Sequence, residues 1–391
     1  MEWDSMRKIH SSLACNLDAN LLSAALPLFA AEEVEGIEWS FDTLYKTPNI
    51  PPWFTELLTA FSSENRLVGH GVFFSLFSGK WSEEQEKWLV QLKKKCEYFN
   101  FDHISEHFGF MTGENFHQGA PISLPFTQET LAIGQDRLKR IFNACERPVG
   151  LENLAFAYSL NEVKRHGDFL EKLIEPVNGF IILDLHNLYC HLHNFDCNFD
   201  EIIQLYPLDR VREIHISGGS WEDSTAKTDR KIRRDTHNNA VPQEVFELLE
   251  ACIPLCPNLK FVVMEQLGTG LKTPESKTAF QQDFLRMKAI VKQNNTNSSA
   301  PSPNTFLPYN SFSLSNPIES LSLHQQQMQL SSILENAKDY KTAQKLLLSS
   351  DLKNTAWEVE KWDAAMLETA VAIAQKWKNG FEPNKKSVES N

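Results

Sequence analysis

The sequence predicts an α/β protein: a (β/α)8 TIM barrel followed by a mostly helical C-terminal extension. Three observations lead there. Eight short apolar runs alternate with segments of helical period over about 260 residues, the usual size of such a barrel. Six of those runs end on a residue able to ligate a metal: His70, His107, Glu152, Asp184, His215 and Glu265. Packing alone does not explain six such endings in one series, whereas a site assembled at the C-terminal ends of barrel strands does. From Gln293 the composition then changes to Asn, Ser and Pro.

In chain order the predicted strands are Ser12–Asn16, Gly36–Ser40, Arg66–His70, His103–His107, Val149–Asn153, Phe180–Asp184, Arg212–Ser217 and Lys260–Glu265. Helices are expected between them. Glu83–Phe99 sets Trp88, Leu89 and Leu92 on one face and its lysines on the other. Thr127–Ala144 opens on a capping pattern, Thr127 to Thr130, and continues through Ile133, Leu138 and Ile141. Asn161–Leu173, Phe199–Leu205 and Pro242–Cys252 continue the alternation. These elements divide the chain into a metal-binding catalytic barrel over 1–292, a linker or irregular segment over 293–317, and a helical extension over 318–391. Gly380 is placed to stop the last helix, and the segment from Glu382 onward reads as a frayed end.

Bulk properties narrow the function. With 391 residues, 42% of them hydrophobic, the chain can bury a large core. No run of 18 apolar residues exists, and the N-terminus lacks a long apolar signal region, so no membrane association and a cytoplasmic protein are expected. Seven cysteines without a CxxC pair read as reduced, incidental thiols. A net charge of −13 argues against a nucleic-acid partner held through its phosphates.

The candidate site residues are imidazoles and oxygens. Side-chain alternation points His103 and His107 the same way, and His107 is preferred because it lies nearer the strand's C-terminal end. Glu106 faces the other side and reads as structural. Glu152 and Asp184 each follow an apolar run, where a carboxylate is costly unless it is paired or metal-bound. Asn187 follows Asp184 at what reads as a strand-to-loop transition, with His186 a weaker candidate between them. The loop motif Asp235-Thr-His237 adds two more. It follows a basic stretch containing Arg230, Lys231, Arg233 and Arg234, which could steer an acidic peptide towards the mouth. His70, His107, Glu152, Asp184, Asn187, His215, Asp235, His237 and Glu265 make nine candidate ligands, too many for one tetrahedral ion and suited to two or three. Nitrogen and oxygen ligation without thiolate fits iron, manganese or zinc. The first two strands supply no ligand in this reading.

With those residues in place, the chain resembles the multinuclear non-haem iron-dependent oxidative enzymes, TIM-barrel peptide-modifying oxidases of the methanobactin-biosynthesis type. The resemblance covers about residues 34–270. It rests on the stretch from His70 to Leu76, Ser105-Glu-His107, Leu124 to Glu129, Glu152-Asn153, Leu183 to Tyr189, Ile214-His215-Ile-Ser-Gly218, and Asp235-Thr-His237 followed by Val241-Pro242. It implies one iron on His70, His107 and Glu152, a second sharing Glu152 with Asp184, His215 and Glu265, and a third on Asn187, Asp235 and His237. It further implies O2 as cosubstrate at a mixed-valent Fe2+/Fe3+ pair, with a substrate cysteine bound to iron through its thiolate and losing a hydrogen from Cβ. Glu152, Asp184 and His215 would then be the catalytic residues. The implied partners are a cysteine-containing precursor peptide and a separate leader-binding protein. The sequence departs from the family pattern at Glu38-Trp-Ser-Phe-Asp42, at Gly219, where a His often stands, and around Asn194–Asn198. The alternative reading of the same layout is a divalent-metal hydrolase or isomerase of the xylose-isomerase-like type.

Overall fold

The computed structural model describes residues 8–45, 50–113, 119–295 and 304–379. Eight parallel strands close into a barrel: β1 His10–Ala14, β2 Gly36–Trp39, β3 Leu67–Gly71, β4 Phe101–His107, β5 Val149–Glu152, β6 Phe180–Asp184, β7 Val211–Ser217 and β8 Phe261–Glu265. Each neighbours its successor, and β1 pairs with β8. The expected fold class is therefore correct. β1 is shifted two residues earlier than the expected Ser12–Asn16, and β4 starts two residues before the expected His103. The end of β1 is set by Asn16, whose Oδ1 accepts from the Ser40 backbone N–H and ties the β1 and β2 loops together instead of extending the strand.

The intervening helices are α1 Ala19–Ala30, α2 Pro52–Ser63, α3 Glu83–Tyr98, α4 Gln128–Cys145, α5 Leu160–Ile174, α6 Leu185–Asn194, a short helix Phe199–Ile203 where Phe199–Leu205 was expected, α7 Gln243–Cys252 and α8 Pro274–Asn295. The capping box expected at Thr127 and Thr130 is formed at the head of α4, satisfying donors that the first helical turn leaves open. Helix α6 replaces the loop expected after Asp184. Its run of histidines and asparagines hides the helical period, and Asp184 itself is the N-cap. Helix α8 continues to Asn295, three residues into the segment read as linker. Beyond it, residues 304–317 carry no helix or strand but are pinned to the barrel. Phe306 is fully buried, its ring 6.0 Å from that of Phe180, at the barrel's N-terminal end. Arg140 then donates to the Ser315 carbonyl, and Arg137 to that of Ile318.

The extension forms helices α9 Leu321–Asn336, α10 Tyr340–Leu348 and α11 Ala364–Lys378. Gly380 and the segment from Glu382 onward lie outside the described residues. At one end of α11, Trp377 meets Phe73, just past β3, with ring centroids 6.4 Å apart. Towards its other end, Glu368 accepts from Ser224 Oγ at 2.7 Å and Ala226 N–H at 3.2 Å, at the tip of a hairpin that follows β7. Four places separate β3 from β7 in the closed order, so α11 ties together loops from opposite sides of the barrel's C-terminal mouth. The nine residue steps between its two contacts span about 14 Å of helix.

The opposite end of the barrel is held by charge. Asp102 accepts from Arg212 Nη2 at 2.7 Å and lies 2.9 Å from His103 Nδ1, and Lys260 bonds its second oxygen. Burial opposes ionisation of Asp102, but His103, Arg212 and Lys260 outweigh it and hold the carboxyl well below the ordinary range. A depressed carboxyl stabilises the fold above its unfolded value of about 3.9, and that stability is lost as pH falls from there towards the folded value. Asp102→Ala is thus expected to cost about 3–5 kcal/mol at pH 7, because Arg212 is left buried without its partner. The difference between the two proteins should narrow as pH falls below about 3.9. Urea unfolding at pH 7 and near pH 3 checks this, and an equal difference at both would remove the ion pair as the cause.

Candidate metal centre

Side chains at the C-terminal ends of β3 to β8 converge in the barrel mouth. Strand register sets His107 beside Glu152 and Asp184 beside His215. Each imidazole is oriented by what its other nitrogen does. The Ser105 hydroxyl donates to the Gly69 carbonyl at 3.3 Å, so at 2.8 Å it accepts from His70 Nδ1–H. A carbonyl can only accept, so His107 donates Nδ1–H to Gly71 O at 3.0 Å. Both rings therefore present Nε2 to the same atom, Glu152 Oε2, each at 3.2 Å.

His215 is turned the other way. Its Nε2 lies 2.6 Å from Glu213 Oε1 and 3.0 Å from Glu38 Oε2, which leaves Nδ1 facing Glu265 at 3.4 Å and Glu152 at 3.8 Å. Carboxylate oxygens on Nε2 fix the proton there and leave the Nδ1 lone pair for the mouth. Behind it, Glu213 Oε2 reaches His103 Nε2 at 2.5 Å. His103 thus lies deeper in the barrel than His107, facing the same interior, as alternation requires.

Asp184 and Asn187 are coupled by the α6 cap. Asp184 Oδ1 accepts from Asn187 N–H at 2.6 Å, and Asn187 Nδ2 donates to Asn153 O at 2.8 Å and to Glu152 at 3.3 Å. Asn153 holds the backbone of Asp184 through both of its amide atoms. As a result Asp184 Oδ2, Asn187 Oδ1, His215 Nδ1, Glu152 Oε2 and Glu265 Oε2 are buried without a hydrogen-bond partner among the described residues. Unsatisfied buried polar atoms are rare, and five in one cluster form a donor set that could hold a cation.

Two groups place one ligand atom per residue within 4.8 Å of one another: His70, His107 and Glu152, and Glu152, Asp184, His215 and Glu265. Asp235 and His237 stand beside them, 2.8 Å apart, with His237 Nε2 also 3.8 Å from Glu265. The chain turns sharply there, with His237 at φ 49°. Asn187 carries a buried Oδ1 without a partner among the described residues, next to Glu152. All nine candidate ligands therefore face one mouth.

Burial and charge set the electrostatics. Burial opposes the charged form of His70, yet Glu38 and Glu152 raise it to about 10. Burial keeps His107 below the usual histidine value. Asp184 is pushed well above the carboxylate range by burial and by Glu152, Asp235 and Glu265. A field that would otherwise hold protons is relieved by metal cations.

The structure revises several expectations. Strand β2 does contribute: Glu38 is buried against His215, and burial lifts it to about 7. Together Glu38, Glu213 and His215 form a third group within 4.8 Å. Glu213 was legible from alternation, two residues before His215 on the same face, but the ligand-ending pattern drew attention only to the strand's last inward residue. Asp42 is not in the mouth; it accepts from Val72 N–H, Phe73 N–H and Trp88 Nε1–H and shapes the β3 loop. Glu106 is buried behind β4, as expected of the outward face. His186 has both nitrogens occupied, accepting from Arg233 Nε at 3.0 Å and donating to Asp235 Oδ1 at 3.1 Å, so it orients Asp235. Its ring also fills the space at Gly219, where an added Cβ would come within 2.6 Å of it. The basic stretch is largely neutralised within the chain: Arg230 binds Asp363, Arg234 binds Glu222, and Arg233 holds His186. Cys190 is buried and its thiol pushed well above the usual value, consistent with an inert sulfur.

Several known proteins are similar to this chain. Among curated relatives, a UPF0276 protein of Shewanella loihica is 24% identical over 191 residues, 49% of this chain and 66% of its own length. One of Caulobacter vibrioides is 27% identical over 183 residues, 46% of this chain and 62% of its own length. The match thus spans just under two thirds of these relatives. Solved structures similar to the chain include the IOLI protein with a zinc atom (TM-score 0.48, 13% identity, 72% of this chain and 99% of that one). A D-psicose 3-epimerase from Clostridium cellulolyticum H10 matches with TM-score 0.47 and 12% identity, over 74% of this chain and 99% of that one. The family model for the RiPP precursor modification enzymes MbnB/TglH/ChrH matches residues 49–267, which contain every candidate ligand. On that match the chain belongs to the MbnB/TglH/ChrH family of RiPP precursor modification enzymes.

Proposed function

We propose that this protein is a multinuclear non-haem iron oxidase that uses O2 to modify cysteine in a ribosomally synthesised precursor peptide. The observation that carries the reading is the environment of Glu152. Two imidazole nitrogens and a carboxylate oxygen meet there at 3.2 Å, and its second oxygen faces His215 and Asn187. Such a convergence requires positive charge, either protons on the rings or metal ions shared across the carboxylate. Imidazole and carboxylate donors without thiolate fit iron.

Glu152 would bridge an ion held by His70 and His107 and one held by Asp184, His215 and Glu265. Asn187, Asp235 and His237 would hold a third. It is the weakest of the three because Asn187 is neutral and the side chains of Asp235 and His237 remain 23% and 24% exposed. When bound, the ions would supply a thiolate-binding position and the electrons for O2. The residues of the chain fix the geometry: Ser105 and Gly71 aim His70 and His107, Glu213 and Glu38 aim His215, and α6 aims Asp184 and Asn187. Helix α11 joins the loops after β3 and β7 at the mouth. The proposed partners are the precursor peptide and a separate leader-binding protein, and no helix among the described residues is long and apolar enough to cross a membrane.

Iron loading under anaerobic conditions, followed by metal analysis, is expected to give at least two irons per chain. Turnover of a cysteine-containing precursor should then require O2. Undiminished turnover without O2, or with zinc alone, would favour the hydrolase or isomerase reading and overturn this one.

A further inference from the structure

The third ligand set is the one that the barrel itself does not fix. Glu152, Asp184, His215 and Glu265 lie on barrel strands. Asp235 and His237 instead leave the end of a hairpin, Ser220–Asp223 paired with Lys231–Arg234, which forms a separate two-stranded sheet. A carboxylate on such a loop can turn either oxygen towards an ion unless a neighbour holds it.

Two buried side chains supply that hold. His186 on α6 is fully buried, with Nδ1 3.1 Å from Asp235 Oδ1, the oxygen that lies 2.8 Å from His237 Nε2. Its Nε2 lies 3.0 Å from Arg233 Nε. A guanidinium has donors and no acceptor, so Nε2 accepts and the ring proton on Nδ1 is aimed at Asp235. Arg233 is itself fixed. Its backbone N–H donates to Asn194 Oδ1 at 2.8 Å, and its carbonyl accepts from Asn194 Nδ2 at 2.9 Å. Its guanidinium carbon lies 5.1 Å from the ring centroid of Trp221 and 5.5 Å from that of Tyr189. Asn194 ends α6, so the helix that carries His186 also grips the strand that carries Arg233. Arg230 carries the same series of bonds out to the extension, donating to the Asn194 carbonyl and, at 2.8 Å, to Asp363.

We propose that Arg233 and His186 are positioning residues for the third cation site. Arg233 sets the tautomer of His186, and His186 sets the carboxylate of Asp235 against His237. Partners of this kind, one bond removed from the ion, typically change metal affinity by roughly 10- to 100-fold. The proposal rests on the multinuclear reading above, but its first measurement needs no metal.

That measurement is the 15N spectrum of the metal-free full chain labelled at histidine, with His186→Asn identifying the His186 signals. A proton on Nδ1 and a bare Nε2 are expected. A proton on Nε2 in the parent would overturn the proposal. Anaerobic titration with Fe2+ and metal analysis then compare variants. Arg233→Leu and His186→Leu should weaken the third ion by at least about tenfold and leave the first two unchanged. His186→Asn places an amide nitrogen near the position of Nδ1, so it should keep the third ion within about threefold of the parent. Unchanged affinity in both leucine variants would overturn the proposal, as would an equal loss in His186→Asn, which would make the ring a filler of space. Should a leucine variant fail to fold, the spectrum of the parent and the asparagine variant still decide. The expected tautomer in a parent that takes up fewer than three ions would sink the three-ion reading, while the hold of the pair on Asp235 stands.

Discussion

Glu152→Gln is expected to abolish loading of more than one iron per chain while leaving the barrel folded. The carboxylate is the only side chain common to both principal ligand groups, and its Oε2 is the atom that His70 and His107 address at 3.2 Å. An amide of the same shape keeps the packing against Asn187 but removes the negative charge and one lone-pair oxygen. Because the charge that bridges two cations would be missing, both sites should weaken together, and activity with them. Metal analysis and circular dichroism on the same sample decide the matter. A folded variant holding two or more irons would show that Glu152 is not the bridge. An unfolded one would mean that its role is to satisfy the histidines in the core.

Removing metal from the parent protein is expected to lower its melting temperature by about 10 °C. Without ions the mouth gathers Glu38, Glu152, Asp184, Glu213 and Glu265 around His70 and His215, with several polar atoms unsatisfied. A ligand present at 100 times its dissociation constant stabilises by about 2.7 kcal/mol, so two such ions give about 5 kcal/mol. At about 2 °C per kcal/mol for a chain of this size, the shift follows. Differential scanning calorimetry before and after chelation measures it, with Glu152→Gln as a control that should shift by less. Identical melting curves for chelated and loaded parent would mean that the cluster is a self-sufficient ion network.

The chemistry of this site was legible in the sequence because a barrel forces it to be. Parallel strands buried on both faces read as apolar runs, and a polar residue ending such a run must lie at the C-terminal mouth. That reasoning placed His70, His107, Glu152, Asp184, His215 and Glu265 in one mouth. The resemblance to a known family sorted them into the groups that geometry also forms. Glu38 was missed because it precedes a tryptophan in a four-residue strand and ends no apolar run. Helix α6 was missed because its inward face carries His186, Asn187, Cys190 and His191 where a helical pattern would show aliphatic residues.

By itself the sequence determined the barrel, the order of its strands and the identity of the residues at their ends. These follow from local periodicity and from the cost of burying an unpaired charge, both written along the chain. Only the tertiary structure decided which nitrogen of each histidine faces the mouth, that Glu38 stands behind His215, and that α11 joins the β3 side to the β7 side. Those are contacts between residues 35 to more than 300 positions apart, such as Ser105 with His70 and Trp377 with Phe73. Hydrogen bonds and packing of that kind depend on distances in space that no local pattern encodes.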